Sequence, residues 1–297
     1  MSEKLPGYGT LYLVATPIGN LEDITQRAVR ILGEVSLIAA EDTRQTQKLL
    51  NHLGIKAPLV SYHEHNARRV GEELVEKLRA GKSIALVSDA GMPAVSDPGE
   101  DIVRLAAQEA IPVTVIPGAS ASLSALVLSG LSTQRFAFEG FLPVKGRERK
   151  ERLASIAKEA RTLILYEAPH RVVKTLEDLA AVCGSDRPAA AARELTKLYE
   201  EIRRGTLAEL AAHFTVTEPR GEFVLVIAGY IPEQVELNQD DAMALVSELM
   251  QSGMARKEAI KEAARRAGMD KRELYKLMID NGPAAHSPQP TDERSVK

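Results

Sequence analysis

The stretch Ser88-Asp-Ala-Gly-Met-Pro-Ala-Val-Ser-Asp-Pro-Gly99 carries more residue types suited to ligand chemistry than any other part of the chain. It follows a short apolar run, 84–87, that reads as a buried strand. Two carboxylates, Asp89 and Asp97, stand among glycines that let backbone approach a ligand and prolines that fix the path. In an open α/β sheet the carboxyl edge of the strands is where ligands bind. The plainer alternative is an ordinary strand-to-helix turn. Three more small-residue loops follow apolar runs: Ala15-Thr-Pro-Ile-Gly-Asn20, Ile116-Pro-Gly-Ala-Ser120 and Tyr166-Glu-Ala-Pro-His-Arg171. In a parallel sheet such loops gather on one edge and form a single cleft, partly between two domains. Ser120 also suits a helix N-cap, a role compatible with ligand binding.

Other polar groups lie near these loops in sequence. Glu41-Asp-Thr-Arg44 follows the second apolar run, where Arg44 either holds an RNA phosphate through its fork or pairs with a neighbouring carboxylate. His63 and His65 flank Glu64. Without further Cys or His neighbours they suggest RNA contact or a satisfied loop histidine rather than a metal site. His170 precedes Arg171 at a helix start, as a base or only as a capping neighbour.

These groups need a scaffold, and the first 120 residues supply a βαβα rhythm. Strands are expected at 10–15, 36–40, 59–62, 84–88 and 113–116, with helices at 24–32, 44–53, 67–80 and 100–109 between them. This predicts a mainly parallel sheet, followed by a small-residue helix over 120–129. The second half predicts strands at 136–138, 162–166, 189–193, 200–205 and 222–228, with helices including 148–159 and 171–182. The close pair 189–193 and 200–205 suggests a hairpin, and so a mixed sheet. From Gln239 the pattern turns helical and charged, with helices expected at 240–251, 257–267 and 271–279. The expected organisation is therefore two α/β domains, 1–118 and 119–235, a helix-turn-helix-like segment 236–282, and a proline-containing tail 283–297 that reads as disordered.

Bulk properties bound the partners. The 297 residues suit about two domains, and 44% hydrophobic content with 4% aromatics and no Trp calls for aliphatic cores. A net charge of −3 means that any polyanion-binding surface must be local. Two local basic runs stand out. Lys145-Gly-Arg-Glu-Arg-Lys150 contributes Lys145, Arg147, Arg149 and Lys150; the segment 256–276 contributes Arg256, Lys257, Arg265, Arg266, Lys271 and Arg272. With Arg44 and His63 these are the RNA-contact candidates, the alternative for each run being a solvated helix face. The single cysteine, Cys183, excludes an internal disulfide and a cysteine metal cluster, and no metal is expected. The first residues lack an apolar core of signal-peptide length, and no window reaches the ~18 apolar residues of a membrane span, which leads to an expectation of cytoplasmic residence.

The words Thr16-Pro-Ile-Gly-Asn-Leu-Glu-Asp23, Glu41-Asp-Thr-Arg-Gln-Thr46, Tyr62-His-Glu-His-Asn66, Ser88–Gly99, Pro117-Gly-Ala-Ser120 and Tyr166–Arg171 occur in this order. Together they resemble the tetrapyrrole methylase superfamily, the class III S-adenosylmethionine-dependent methyltransferases, in its ribosomal RNA branch. The resemblance spans residues 9–282. It implies two α/β domains folding S-adenosylmethionine between them, a homodimer, and methyl transfer to the ribose 2′-hydroxyl of a cytidine in the decoding centre of 16S rRNA within the small ribosomal subunit. By the same resemblance Pro17 and Gly19, then Asp89, Gly91, Pro93, Ser96 and Asp97, then Ala119 and Ser120, then Glu167 and Ala168, and the backbone near Glu222 and Phe223, would bind the cofactor. Glu167, His170 and Arg44 are the catalytic candidates, with no base singled out. The superfamily's Gly-x-Gly-Asp-Pro is replaced by Ser88-Asp-Ala-Gly-Met-Pro93, which argues against a corrin or porphyrin substrate. Two other readings stand beside this one: a small-molecule methyltransferase of the same superfamily, and a ligand-sensing regulator that binds nucleic acid.

Overall fold

The computed structural model describes residues 7–231 and 238–280. The chain divides into two compact units, Met1–Tyr230 and Ile231–Lys297.

The first unit opens with β1 (Leu11–Val14), α1 (Gln26–Glu34), β2 (Leu37–Ala40), α2 (Thr43–His52), β3 (Leu59–Ser61), α3 (Ala67–Arg79), β4 (Ile84–Val87), α4 (Glu100–Gln108) and β5 (Val113–Ile116). Its strands form one parallel sheet in the order β3-β2-β4-β1-β5. The β4 run is buried at every position, as a strand covered on both faces must be. One face packs Leu11, Ile84 and Leu86 against α3 and α4. The other packs Val14, Ala85 and Val87 against α1 and α2. Because β1 and β4 are neighbours, the loops that leave their carboxyl ends are neighbours too.

A crossing segment and α5 (Ala121–Ser129) lead into the second sheet. Its elements are β6 (Phe136–Phe141), α6 (Gly146–Ile156), β7 (Thr162–Glu167), α7 (Val172–Cys183), β8 (Pro188–Arg193), β9 (Glu201–Thr206), α8 (Leu207–Val216) and β10 (Phe223–Ile227). The order is β6-β7-β10-β8-β9, with β6 and β7 parallel and the other pairs antiparallel, so the sheet is mixed. The expected hairpin is β8–β9. One face buries Leu163, Leu165 and Leu225 under α6, α7 and α8. The other receives α5 and, from the first loop, Ile18. The fold class expected from sequence is the observed one.

Four elements depart from the expected pattern: helix α1 occupies Gln26–Glu34 rather than 24–32, strand β6 runs Phe136–Phe141 rather than 136–138, and α6 and α8 differ as follows. Helix α6 occupies Gly146–Ile156 rather than 148–159. Helix α8 was assigned to no element, although Thr206 and Glu209 make a reciprocal capping box at its start.

In the second unit α9 (Gln239–Gln251), α10 (Arg256–Ala267) and α11 (Lys271–Asp280) share a core of Val246, Ile260, Ala263 and Leu274. Helix α10 ends on Gly268 in the left-handed conformation, and Asp270 then accepts from the amides of Arg272 and Glu273 to start α11. This short turn between two helices is the helix-turn-helix-like arrangement expected. The expected disordered tail, 283–297, lies outside the described residues. No helix of the described residues is long and apolar enough to cross a membrane.

Candidate active site

The loops leaving β1 and β4 are joined by backbone. The Thr16 amide donates to the Gly91 carbonyl at 2.9 Å, and the Gly91 amide donates to the Thr16 carbonyl at 3.1 Å. Gly91 sits at φ +81°, where an L side chain is strained, and an added Cβ would meet Ile18 Cγ2 at 3.3 Å. That same Cβ would lie 3.7 Å from the Ala119 carbonyl, so the third loop abuts the second. The end of β2 joins them where the Asp42 amide donates to Asp89 Oδ1 at 3.0 Å. The first three small-residue loops thus meet on one sheet edge.

The second sheet closes on that edge through its 194–200 loop. The Asn20 amide donates to Thr196 Oγ1 at 3.1 Å. A Cβ on Gly19 would fall 3.0 Å from the Leu195 carbonyl, which explains a glycine there. Ala94, Ser96, Glu194 and Thr196 adopt positive φ without being glycine, and all four lie in the loops flanking this edge. Such strain concentrates where a fold must hold an awkward backbone for function.

Between the loops lies an open cleft of about 420 Å³, lined among others by Thr16, Pro17, Gly19, Gln45, Asp89 and Glu222. Pro17, Gly19, Asp89 and Glu222 are therefore brought together from three loops and two sheets. Gln45, Lys48 and Leu49 also line it, and the sequence reading missed them. Their signal was a shared face of α2 directly after the Glu41-Asp-Thr-Arg44 turn, with Lys48 Nζ donating to Gln45 Oε1 at 3.2 Å.

The rim is acidic. Burial, and next the Asp89 carboxylate, push the Glu41 carboxyl above its ordinary range. Asp97 is pushed up to about 6, first by burial and then by Glu41, with Ser88 opposing through a hydrogen bond and Asp89 and Glu222 adding to the rise. Negative groups gathered in this way favour a cationic ligand.

The other candidates are placed as follows. Gly91 and Pro93 are buried within the second loop, while Ser96 is exposed. Ser120 caps α5, its Oγ accepting from the Leu123 amide at 3.5 Å. Ala168 lies on the fourth loop, which is anchored on the second sheet. There Glu167, 1% exposed, accepts from the Ala168 amide at 2.9 Å and from the Thr175 hydroxyl at 2.6 Å, and pairs with Arg171 at 3.2 Å. Both oxygens of Glu167 are engaged inside the protein, where the carboxylate braces the loop. His170 is exposed on the one-turn helix Pro169–Arg171.

The Phe223 side chain is 1% exposed and packs edge-on against Phe214 at 5.2 Å, while the expectation at this position concerns the backbone alone. Arg149, expected on an RNA-binding face, is 8% exposed; it binds Asp178 at 2.8 Å, the Thr175 hydroxyl at 3.0 Å and the Pro143 carbonyl at 2.9 Å. It fastens α6 to α7 and cannot reach a phosphate. For Arg44 the internal pair is realised: Nε and Nη2 hold both oxygens of Asp42 at 3.0 and 2.7 Å and bring that carboxyl down to about 2.

His63 is half-buried, its ring edge-on to His65 at 5.8 Å. Lys145, Arg147 and Lys150 are exposed at the start of α6, and Arg147 pairs with Glu151. In the second unit Arg256, Lys257, Lys271 and Arg272 are exposed, while Arg265 and Arg266 both pair with Glu262. Cys183 is buried.

Comparison with known proteins adds a second line of evidence. Residues 10–211 match the model of the tetrapyrrole (corrin/porphyrin) methylases. Over 273 residues the chain is 50% identical to the ribosomal RNA small subunit methyltransferase I of Synechocystis sp., covering 92% of this chain and 98% of that protein. The protein of the same name from Bacillus subtilis is 47% identical over 272 residues, covering 90% and 93%. The one from Escherichia coli O157:H7 is 45% identical over 274 residues, covering 92% and 95%. Among solved structures, a cobalt precorrin-4 methyltransferase superposes with a TM-score of 0.57 at 19% identity, covering 74% of this chain and 94% of that one. Uroporphyrin-III C-methyltransferase from Thermus thermophilus, complexed with S-adenosylhomocysteine, superposes with a TM-score of 0.54 at 21% identity, covering 73% and 97%. At these identities the solved structures speak for the fold alone.

Proposed function

The chain belongs to the tetrapyrrole methylases, among the ribosomal RNA small subunit methyltransferases I, and on that premise we propose that it moves a methyl group from S-adenosylmethionine to the ribose 2′-hydroxyl of a cytidine in the decoding centre of 16S rRNA. The observation that carries this reading is the meeting of the Thr16–Gly19 loop and Asp89 at one cleft that Glu222 also lines, with the Gly118–Ser120 loop packed against Gly91. A cleft of about 420 Å³ falls in the size range of small-ligand sites. Its backbone approaches at Gly19 and Gly91, its carboxylates and its outward-facing Glu222 suit a cationic nucleoside.

When bound, the donor supplies a methyl group on a positively charged sulfur that becomes neutral on transfer. The chain's task is then mainly alignment of oxygen, carbon and sulfur. Pro17, Gly19, Gly91 and Pro93 fix the backbone that would cradle the donor. On this reading Asp89 and Glu222 supply negative charge at the cleft, Asp97 adds to it from the loop of Asp89, and Ser96, Ala119, Ser120 and Ala168 are assigned to the donor by family resemblance. A ribose hydroxyl is a poor nucleophile until it loses its proton, and a positioned base adds roughly 10²–10⁴-fold. With Glu167 and Arg44 engaged internally, His170 is the remaining candidate to take that proton.

The substrate on this reading is the small ribosomal subunit and the enzyme is a homodimer. Lys145, Arg147 and Lys150, together with the exposed cations of the helix-turn-helix-like unit, hold RNA phosphates in a salt-dependent manner. Mass mapping of methylated nucleotides in 16S rRNA, with and without this protein, tests the proposal. A methylated ribose at one cytidine that depends on the protein supports it. A small-molecule methyltransferase or a ligand-sensing regulator would leave the RNA unchanged.

A further inference from the structure

Strand β6 ends in a second cavity of about 440 Å³, lined by Glu139, Phe141, Pro143, Glu151, Arg152 and Ser155 among others. A β-bulge shapes it. Phe138 pairs with Ile164 and Gly140 with Leu165, so Glu139 is an extra residue on the strand. A bulge re-aims a side chain and is enriched beside active sites. Gly140 stands at φ +61°, and a Cβ there would lie 3.1 Å from Ser96 Oγ, so the bulge abuts the Asp89–Asp97 loop.

The cavity wall combines an exposed aromatic ring, a fixed backbone and a carboxylate–guanidinium pair. Phe141 is 54% exposed, yet its ring is held at 5.6 Å from Tyr166 and is not free to fold away. Its neighbours are fixed from behind: Arg171 holds the Leu142 carbonyl at 2.7 Å, and the buried Arg149 holds the Pro143 carbonyl. Next to it, Glu139 Oε2 is buried and has no hydrogen bond among the described residues. Arg152 Nη2 lies 2.7 Å from that oxygen as an ion pair, off the hydrogen-bonding direction. The pair therefore holds a carboxylate and a guanidinium together at the cavity wall.

Resting on the function proposed above, we infer that this cavity seats the splayed-out acceptor base, with Phe141 as its stacking platform and the Glu139–Arg152 pair as the reader of its edge. An aromatic face stacks any base. A carboxylate accepts from the exocyclic amine of cytosine, and an arginine donates to the adjacent ring nitrogen and carbonyl. Uracil presents a carbonyl where cytosine presents the amine, and so faces the Glu139 carboxylate with like polarity. The bulge abuts Ser96 of the Asp89–Asp97 loop, and on this proposal that contact leads from the base seat toward the donor.

The test uses the full-length protein and small ribosomal subunits that lack the methyl mark, with the target cytidine either intact or replaced by uridine. Phe141→Ala should lower kcat/KM for the subunit by about 5- to 150-fold, the range of one lost base stack. Affinity for S-adenosylhomocysteine and the thermal midpoint should stay unchanged. Phe141→Tyr should restore most of the loss. Glu139→Gln, whose amide both donates and accepts, should narrow the wild-type preference for cytidine over uridine about tenfold. Unchanged kcat/KM in Phe141→Ala, or an unchanged base preference in Glu139→Gln, overturns the base seat while the proposed function stands. A wild-type protein that methylates no cytidine of the subunit overturns both.

Discussion

The Asp42 amide donates to the Oδ1 of Asp89 at 3.0 Å across 47 residues of chain, tying the end of β2 to the loop that follows β4. The bond fixes one carboxylate oxygen and leaves Asp89 exposed at the cleft. Asp89→Ala removes both the tie and a negative charge. Affinity for S-adenosylmethionine should fall about 10- to 100-fold, the usual worth of a charged hydrogen bond, measured by calorimetry, with little change in unfolding temperature.

Asp97 gives a pH dependence of defined sign. Its folded-state value of about 6 lies above the ordinary 3.8, so the folded protein holds this proton more tightly than the unfolded chain. The cost of keeping Asp97 ionised is therefore complete above about pH 6 and vanishes below about pH 4. Asp97→Asn should be more stable than wild type at pH 7.5 in denaturant titrations, and the gap should close between pH 6 and 4. A gap that does not vary with pH contradicts the assignment.

Arg149 and Lys150 are sequence neighbours with opposite roles. Arg149→Ala leaves Asp178 with only Lys174 and empties a buried site, and should cost about 2–4 kcal/mol of unfolding free energy. Lys150→Ala should leave stability unchanged, weaken RNA binding and reduce its salt dependence by about one counterion. Filter binding at several salt concentrations separates the two.

His170→Ala should slow single-turnover methyl transfer by about 10²-fold or more with unchanged donor affinity. An unchanged single-turnover rate removes His170 as the base.

Much of this was legible in the sequence because its signals are local. The alternation of apolar runs and helical patterns gave both sheets, and the spacing of 189–193 and 200–205 gave the β8–β9 hairpin. The Gly, Pro and Asp loops announced the cleft, since few other roles need those residues together. What was not legible depends on contacts distant in sequence. Nothing local distinguishes Arg149 from Lys150; only the turn of α6 sends one to Asp178 and the other to solvent. Glu167 follows an apolar strand like a catalytic carboxylate, but Thr175 on α7 claims one oxygen. Gln45 and Lys48 sit in the expected helix 44–53, whose face becomes a cleft wall only once β2 and β4 are paired. The short helix α8 carries a local signal in its Thr206–Glu209 capping box, which the expected pattern leaves unused.

The central claim is that turns from both sheets close around one nucleoside donor. Calorimetric titration of the wild-type protein with S-adenosylhomocysteine tests it most directly. Saturable binding at one site per chain is the predicted result, and the absence of any binding heat or competition with the methyl donor would contradict it.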